Sequence, residues 1–162
     1  MRYTKRIGII AICLSFATII GLASSGIEWG YEGKTGPDFW GSLSPDYALC
    51  SAGKAQSPIN LVDSVAIKQN LRDIVFHYEP TKLHLLNNGH TLELEYEEGS
   101  SIEIDGTKYG LVQLHFHAPS EHTINGRQFD MEMHLVHKSA NGSLAVIGVM
   151  IRKGKENREL SL

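Results

Sequence analysis

Three imidazoles, those of His115, His117 and His134, are the side chains of this sequence best placed to do chemistry together. They lie in Gln113-Leu-His-Phe-His-Ala-Pro-Ser-Glu-His122 and in Glu132-Met-His134. Side chains along a β-strand alternate between faces, so His115 and His117 point the same way and Phe116 the other. At about 3.3 Å per residue their Cβ atoms stand roughly 6.6 Å apart, a separation from which two rings can lean onto one metal ion. A third ligand must then come from a neighbouring strand. The run Phe129 to His137 alternates again, with Phe129, Met131, Met133 and Leu135 on one face and Asp130, Glu132, His134 and Val136 on the other. Pro119 and Asn125-Gly126, between the two runs, are turn signals. Two alternating runs joined through turns read as antiparallel partners, which sets His134 on the face of His115 and His117. No fourth strong ligand accompanies them. Three protein ligands with a position left for water is the pattern of a catalytic zinc site, whereas structural zinc is closed by four.

Two polar residues share that face. Gln113 stands two before His115 and Glu132 two before His134. A metal-bound imidazole usually hydrogen-bonds through its second nitrogen to a carboxylate, a carbonyl or water, and Gln113 and Glu132 fit that supporting role. The competing reading is a hydrophilic sheet face with scattered histidines. It requires three histidines and two suitable partners to fall on one face by coincidence.

The elements that must position these residues are strands. Short β-patterned runs fill the second half of the chain: Ile74–Tyr78, Lys82–Leu86, Thr91–Tyr96, Ser101–Ile104, Lys108–His117, Phe129–His137 and Leu144–Ile151. Asn88-Gly89, Glu98-Gly99, Asp105-Gly106 and Asn141-Gly142 punctuate them, which predicts a mainly β, largely antiparallel sheet. Before it, Gly30 to Ser57 is loop-rich, and Pro37-Asp38-Phe39-Trp40 can carry a short helix. The charged run Arg152 to Arg158 reads as a solvated loop.

The N-terminus stands apart. Met1 to Arg6 is basic, Ile7 to Ile27 carries no charge, and Ala23-Ser-Ser25 supplies small residues. That order predicts a signal peptide over residues 1–25, followed by a domain over 26–162 in a periplasmic or secreted protein. The uncharged run is also long enough to span a bilayer, so an uncleaved N-terminal anchor is the alternative and the only membrane association expected. The whole chain carries a net charge of −3, and the leader holds three of its basic residues, so the remainder is more acidic. Nucleic acid is therefore not an expected partner. Cys13 falls in the leader, which leaves Cys50 as the single cysteine of the domain. No pattern sets an oligomeric state.

Taken together, Trp29-Gly-Tyr31, Gln56-Ser-Pro-Ile-Asn60, Asn87-Asn-Gly-His90, Gln113-Leu-His-Phe-His-Ala-Pro-Ser-Glu-His-Thr123, Met131-Glu-Met-His-Leu-Val-His137 and Leu144-Ala-Val-Ile-Gly148 closely resemble the α-class carbonic anhydrases, especially the exported bacterial ones. The resemblance runs from Trp29 to about Glu159. It implies a large twisted, mostly antiparallel sheet with short peripheral helices. It also implies reversible hydration of CO2 to bicarbonate and a proton by zinc-bound hydroxide, with His115, His117 and His134 as the Zn2+ ligands. This family is itself the standard example of a three-histidine zinc site. By the same resemblance His90 is the proton shuttle, a role suited to an imidazole, which titrates near neutral pH. Glu121 matches the glutamate that accepts a hydrogen bond from a threonine of the active site. Tyr31 and Asn88 match the water network, and Val136 and Val146 the apolar wall where CO2 sits. His122 matches a structural histidine, while His77, His84 and His137 carry no metal role. Glu93 replaces a polar neutral residue of some relatives and makes the pocket rim more acidic.

The family continues for a substantial stretch beyond the Gly-Lys-Glu-Asn segment, and this chain stops at Leu162. The expectation is a carbonic anhydrase domain whose C-terminal part is missing. That part carries central strands, the threonine that orients the hydroxide, and a leucine and a tryptophan of the CO2 pocket. It also carries the cysteine that the resemblance pairs with Cys50. A zinc-binding module with little or no activity is the alternative. A different zinc hydrolase fits worse, since no His-Glu-x-x-His occurs.

Overall fold

The structure, a computed structural model, describes residues 9–10, 28–82 and 84–157. The predicted leader lies outside these apart from Ile9–Ile10. The chain divides into two units. One is the segment up to Ser57, and the other runs from Pro58 onward and includes Ile9–Ile10.

In the first unit, prolines start two of the helical turns. Pro37–Phe39 forms a single 3-10 turn that continues into α1 (Trp40–Leu43), where the sequence predicts a short helix. Pro45–Tyr47 forms another, capped by the Ser44 hydroxyl, which accepts from the Asp46 N–H; it leads into α2 (Leu49–Ala52), which the sequence pattern did not announce. Trp29, Tyr31 and Trp40 meet edge to face with ring centroids 5.5–5.8 Å apart, and the Trp40 indole N–H donates to the carbonyls of Gly30 and Thr35. Aromatic rings prefer this geometry because the positive edge of one meets the negative face of another.

Among the described residues, the second unit is built on an eight-stranded sheet. Its strands are β1 (Ile9–Ile10), β3 (Val75–His77), β4 (His84–Asn87), β5 (Leu92–Glu95), β6 (Ser101–Ile104), β7 (Thr107–His117), β9 (Met131–Ser139) and β10 (Leu144–Ile151). A separate two-residue parallel pair joins β2 (Asn60–Leu61) to β8 (Thr123–Ile124). All pairs in the large sheet are antiparallel. The order runs β1-β10-β9-β7-β5-β4, with β6 bridging β7 and β3. The long strand β7 is the spine: β9 lies along one edge, while β6 and then β5 share the other. The predicted strands agree with these to within two residues at each end.

The turns follow the residues that demand them. Asp105 and Gly106 both have positive φ (49° and 77°) and form the two-residue loop between β6 and β7. That is the hairpin turn whose twist suits antiparallel strands, and a glycine at its second position removes the steric cost. One face of the sheet holds the apolar core of Ile102, Leu111, Leu114, Leu135, Ala145 and Ile147. The outer strands β3 and β4 are exposed along their length. Arg152 to Asn157 is irregular and mostly exposed, as the charged composition predicts. Among the described residues no helix is long and apolar enough to cross a membrane.

Candidate metal centre

The register of β7 against β9 builds the site. His115 stands directly opposite His134, Phe116 opposite Met133 and His117 opposite Glu132. Residues directly opposite one another share a face, so the three histidines and Glu132 converge, as the alternation predicts. One detail is needed to make both faces consistent. Strict alternation along β7 places Leu111 on the same face as Gln113, His115 and His117. A bulge between Leu111 and Gln113 inserts Val112 as an extra residue. It turns Leu111 into the core while Gln113 stays with the histidines, so apolar and polar residues separate cleanly.

The rings of His115, His117 and His134 lie 4.7–5.3 Å apart between centroids, and one nitrogen from each falls within 4.8 Å of the other two. The other nitrogens of two of them are occupied. His115 Nδ1 lies 2.8 Å from Gln113 Oε1, an amide oxygen, so the nitrogen carries the proton and donates. His134 Nε2 donates to Glu132 Oε1 at 2.9 Å. These bonds leave Nε2 of His115 and Nδ1 of His134 as lone-pair donors. Burial, and then the proximity of His134, push the His115 and His117 rings down to about 4. Neutral imidazoles are what a metal requires, since protons compete for the same lone pairs. A donor set of three imidazole nitrogens suits zinc in number and type.

Glu132 is the anchor of this arrangement. It has no exposed surface. Oε1 accepts from His134 Nε2 and, at 2.6 Å, from His122 Nδ1; Oε2 accepts the backbone N–H of Glu121 at 3.0 Å and of His122 at 2.9 Å. Burial alone drives a carboxyl pKa up, but the hydrogen bonds from His122 and His134 outweigh it and hold Glu132 well below the usual carboxylate range. The loop after β7 is folded to supply those N–H groups. The fully buried Ser120 accepts from the Phe129 N–H at 2.8 Å and donates to the His122 carbonyl at 2.7 Å. The Asn60 side chain, on β2, accepts from Thr123 Oγ1 and the Gly126 N–H, both at 2.8 Å, and so holds the far end of the loop. The cluster of His122, Glu132 and His134 is thus a support, its atoms already hydrogen-bonded among themselves.

Glu121 points inward from the same loop. Its Oε2 is 3.4 Å from His117 Nε2 and 3.9 Å from His134 Nδ1, and burial raises its pKa. It brings a carboxyl group to the mouth of the donor set. Val136, opposite Gln113, and Val146, opposite Val136, continue the same face and are half-buried. His90 and Asn88 lie on the exposed turn between β4 and β5. Tyr31 belongs to the N-terminal unit, in its aromatic trio. His77 and His84 are exposed, whereas His137 is completely buried on the core side. Cys50 is exposed and forms no disulfide among the described residues.

Sequence reasoning assigned no role to Gly148, yet the site depends on it. Gly148 sits directly opposite His134 on β10, and a Cβ there would lie 2.7 Å from Glu132 Oε1. A glycine inside a strand pattern marks such a close approach, and that was the available signal.

Comparison with known proteins identifies the family. Residues 35–162 match the family described as eukaryotic-type carbonic anhydrase, and the chain belongs to that family. A carbonic anhydrase of Nostoc sp. is 41% identical over 98% of this chain and 62% of its own length. Alpha carbonic anhydrase 2 of Arabidopsis thaliana is 44% identical over 93% of this chain and 63% of its own. The α-carbonic anhydrase of Thermovibrio ammonificans, solved with the inhibitor sulfanilamide, superposes with a TM-score of 0.80 at 43% identity, covering 84% of this chain and 60% of that one. Dioscorin, solved with ascorbate, superposes at 0.76 with 36% identity, covering 81% and 56%. The chain spans about three fifths of the length of the curated relatives it matches.

Proposed function

We propose that this chain carries a zinc centre that reversibly hydrates CO2 to bicarbonate and a proton. The observation that supports it best is the set of three convergent nitrogens, two of them oriented by Gln113 and Glu132. His115, His117 and His134 hold the ion. Zinc supplies Lewis acidity and a water acidic enough to ionise near neutral pH, the property for which this family is the reference case.

The remaining chemistry belongs to the chain. Gln113 and Glu132 keep the imidazoles in one tautomer and one orientation, and the Glu132 charge makes His134 a stronger donor. Val136 and Val146 form an apolar wall that a linear, uncharged substrate can approach while water is kept from that side. Glu121 offers an acceptor beside the donor set. His90 takes the released proton to solvent, and Asn88 on the same turn orders water beside it; the sequence resemblance gives Tyr31 a water-ordering role as well. The order of basic, apolar and small residues in 1–25 supports export from the cytoplasm. N-terminal sequencing of the mature protein tests this: a start at residue 26 or nearby is expected.

The test of the activity is CO2 hydration at known zinc occupancy. Turnover that tracks zinc content is expected, and turnover without zinc overturns the proposal. His90→Ala slows turnover in dilute buffer and recovers when imidazole is added; an equal loss at every buffer concentration gives His90 a structural role instead. The alternative, a zinc-binding module with little or no turnover, predicts full zinc occupancy without hydration in the same assay.

A further inference from the structure

The turn that carries His90 is held at two points, one on the metal strand β7 and one on β5. Direct pairing of β5 with β7 ends at Glu93 opposite His115. Past that point Phe116 has no paired residue on β5, and its N–H and C=O on that side would lack ladder partners. Thr91 replaces them. Its hydroxyl accepts the Phe116 N–H at 3.3 Å and donates to the Phe116 carbonyl, with the Leu92 carbonyl 3.3 Å away as a weaker alternative. Phe116 is the residue between His115 and His117. One side chain thus anchors the turn to the segment that holds two of the three metal-facing histidines.

The second tie runs through Asn88. Its Oδ1 accepts the N–H groups of His90 and Thr91 at 3.0 and 2.9 Å, its own N–H donates to the Thr91 carbonyl at 3.3 Å, and the Asn87 side chain accepts the Gly89 N–H at 3.0 Å. The turn is therefore one hydrogen-bonded block. Asn88 Nδ2 then donates to Glu93 Oε2 at 3.0 Å. Glu93 is half-buried and stands across from His115. Exposed hairpin ends with few buried contacts open readily. This one is pinned on both sides, to β7 through Thr91 and to β5 through Glu93.

We infer that Thr91 and Glu93 are positioning residues, which hold the His90 turn at a fixed place relative to the metal-facing histidines. The inference rests on the reading of His90 as the proton carrier. Passing a proton through a few ordered waters depends on the separation of its ends, so a turn that drifts slows that step alone. The proton leaves after bicarbonate forms, so the loss falls on kcat and spares kcat/KM.

Thr91→Val keeps the shape of the side chain and removes the hydroxyl; Thr91→Ser restores it. Glu93→Ala cuts the second tie. In dilute buffer Thr91→Val lowers kcat on the order of tenfold, within the hundredfold that a displacement of about 1 Å can cause. Its kcat/KM and zinc content stay level, imidazole restores the rate, and Thr91→Ser behaves like the parent. Glu93→Ala shows the same pattern more weakly. In the metal-free proteins the His90 and Thr91 amides exchange faster with solvent in Thr91→Val and Glu93→Ala than in the parent. Parent-like exchange together with parent-like kcat in dilute buffer overturns the inference. His90→Ala run in parallel keeps the two ideas apart. If that variant shows no imidazole-dependent recovery, the relay reading fails; if it does while Thr91→Val and Glu93→Ala match the parent, only the positioning inference fails.

Discussion

His134 and His137 lie three residues apart on β9, on opposite faces of one sheet, and their environments give them opposite uses. Both are buried, at 8% and 0% exposure, so burial does not distinguish them. What differs is how their nitrogens are spent. His134 gives one nitrogen to the Glu132 carboxylate and turns the other toward His115 and His117. His137 spends both: Nδ1 donates to the Ala145 carbonyl at 3.3 Å, and Nε2 accepts from the Tyr78 hydroxyl at 2.8 Å. Burial pushes His137 down, and burial with a smaller contribution from Tyr96 pushes Tyr78 up to about 12, so both stay neutral. No lone pair of His137 is left for a ligand. A buried histidine becomes a metal donor only where the sheet leaves one nitrogen unspent beside others like it.

The sharpest way to break this comparison is at the metal face. His115→Ala, His117→Ala or His134→Ala each removes one of the three proposed ligands of an open site and is expected to abolish stoichiometric zinc binding, read by elemental analysis. His137→Leu should leave zinc stoichiometry unchanged. Full zinc in any of the first three, or its loss in the fourth, contradicts the division of roles.

Next in size is Glu132→Gln. Four donors converge on this carboxylate, and an amide can present only one oxygen to them. Its NH2 group then faces donors whichever way it turns. Metal affinity is expected to fall by about ten- to a hundredfold, as for other partners of metal-bound histidines, in competition with a chromogenic chelator. A smaller loss would mean that His122 and the loop N–H groups orient His134 without the charge.

Much of this was legible in the sequence, and the boundary is physical. Alternation along a strand is local, so the common face of His115, His117, Gln113, Glu132 and His134 could be read from spacing alone. The fold class followed from turn residues such as Asp105-Gly106. The Val112 bulge could not be read that way, because it exists only to reconcile the register of β7 with β9. The short pairing of β2 with β8 depends on residues some sixty apart meeting through Asn60 and Thr123. The role of Gly148 required knowing which strand lies beside β9 and in what register.

Gly148→Ala tests that last point. The added methyl meets Glu132 Oε1 at 2.7 Å, and the carboxylate is held by four hydrogen bonds and cannot simply turn away. Overpacking of this kind costs about 1–3 kcal/mol. The expected outcome is that loss in denaturant unfolding, accompanied by weaker zinc binding because the displaced atom is the one that holds His134. A loss of stability with unchanged zinc affinity would separate Gly148 from the metal face.

The smallest effect concerns the core face. His137 is neutral when folded because burial pushes its pKa below the ordinary value of 6.5. As pH falls through 6.5 the unfolded chain takes up a proton at this position and the folded chain does not. The contribution of His137 to stability is therefore present above that value and is lost as the solution becomes more acidic, by at most about 1.4 kcal/mol per pH unit for one group. In metal-free protein His115 and His117 titrate in the same direction, with their loss complete near 4, but they are common to parent and variant. His137→Leu leaves the Tyr78 hydroxyl and the Ala145 carbonyl without their partner, so at pH 8 it is less stable than the parent. The gap should narrow as unfolding is repeated toward pH 5.5, since only the parent loses the His137 contribution. A gap that stays constant with pH would mean that His137 carries the same charge folded and unfolded, and the contrast with His134 would then rest on hydrogen bonding alone.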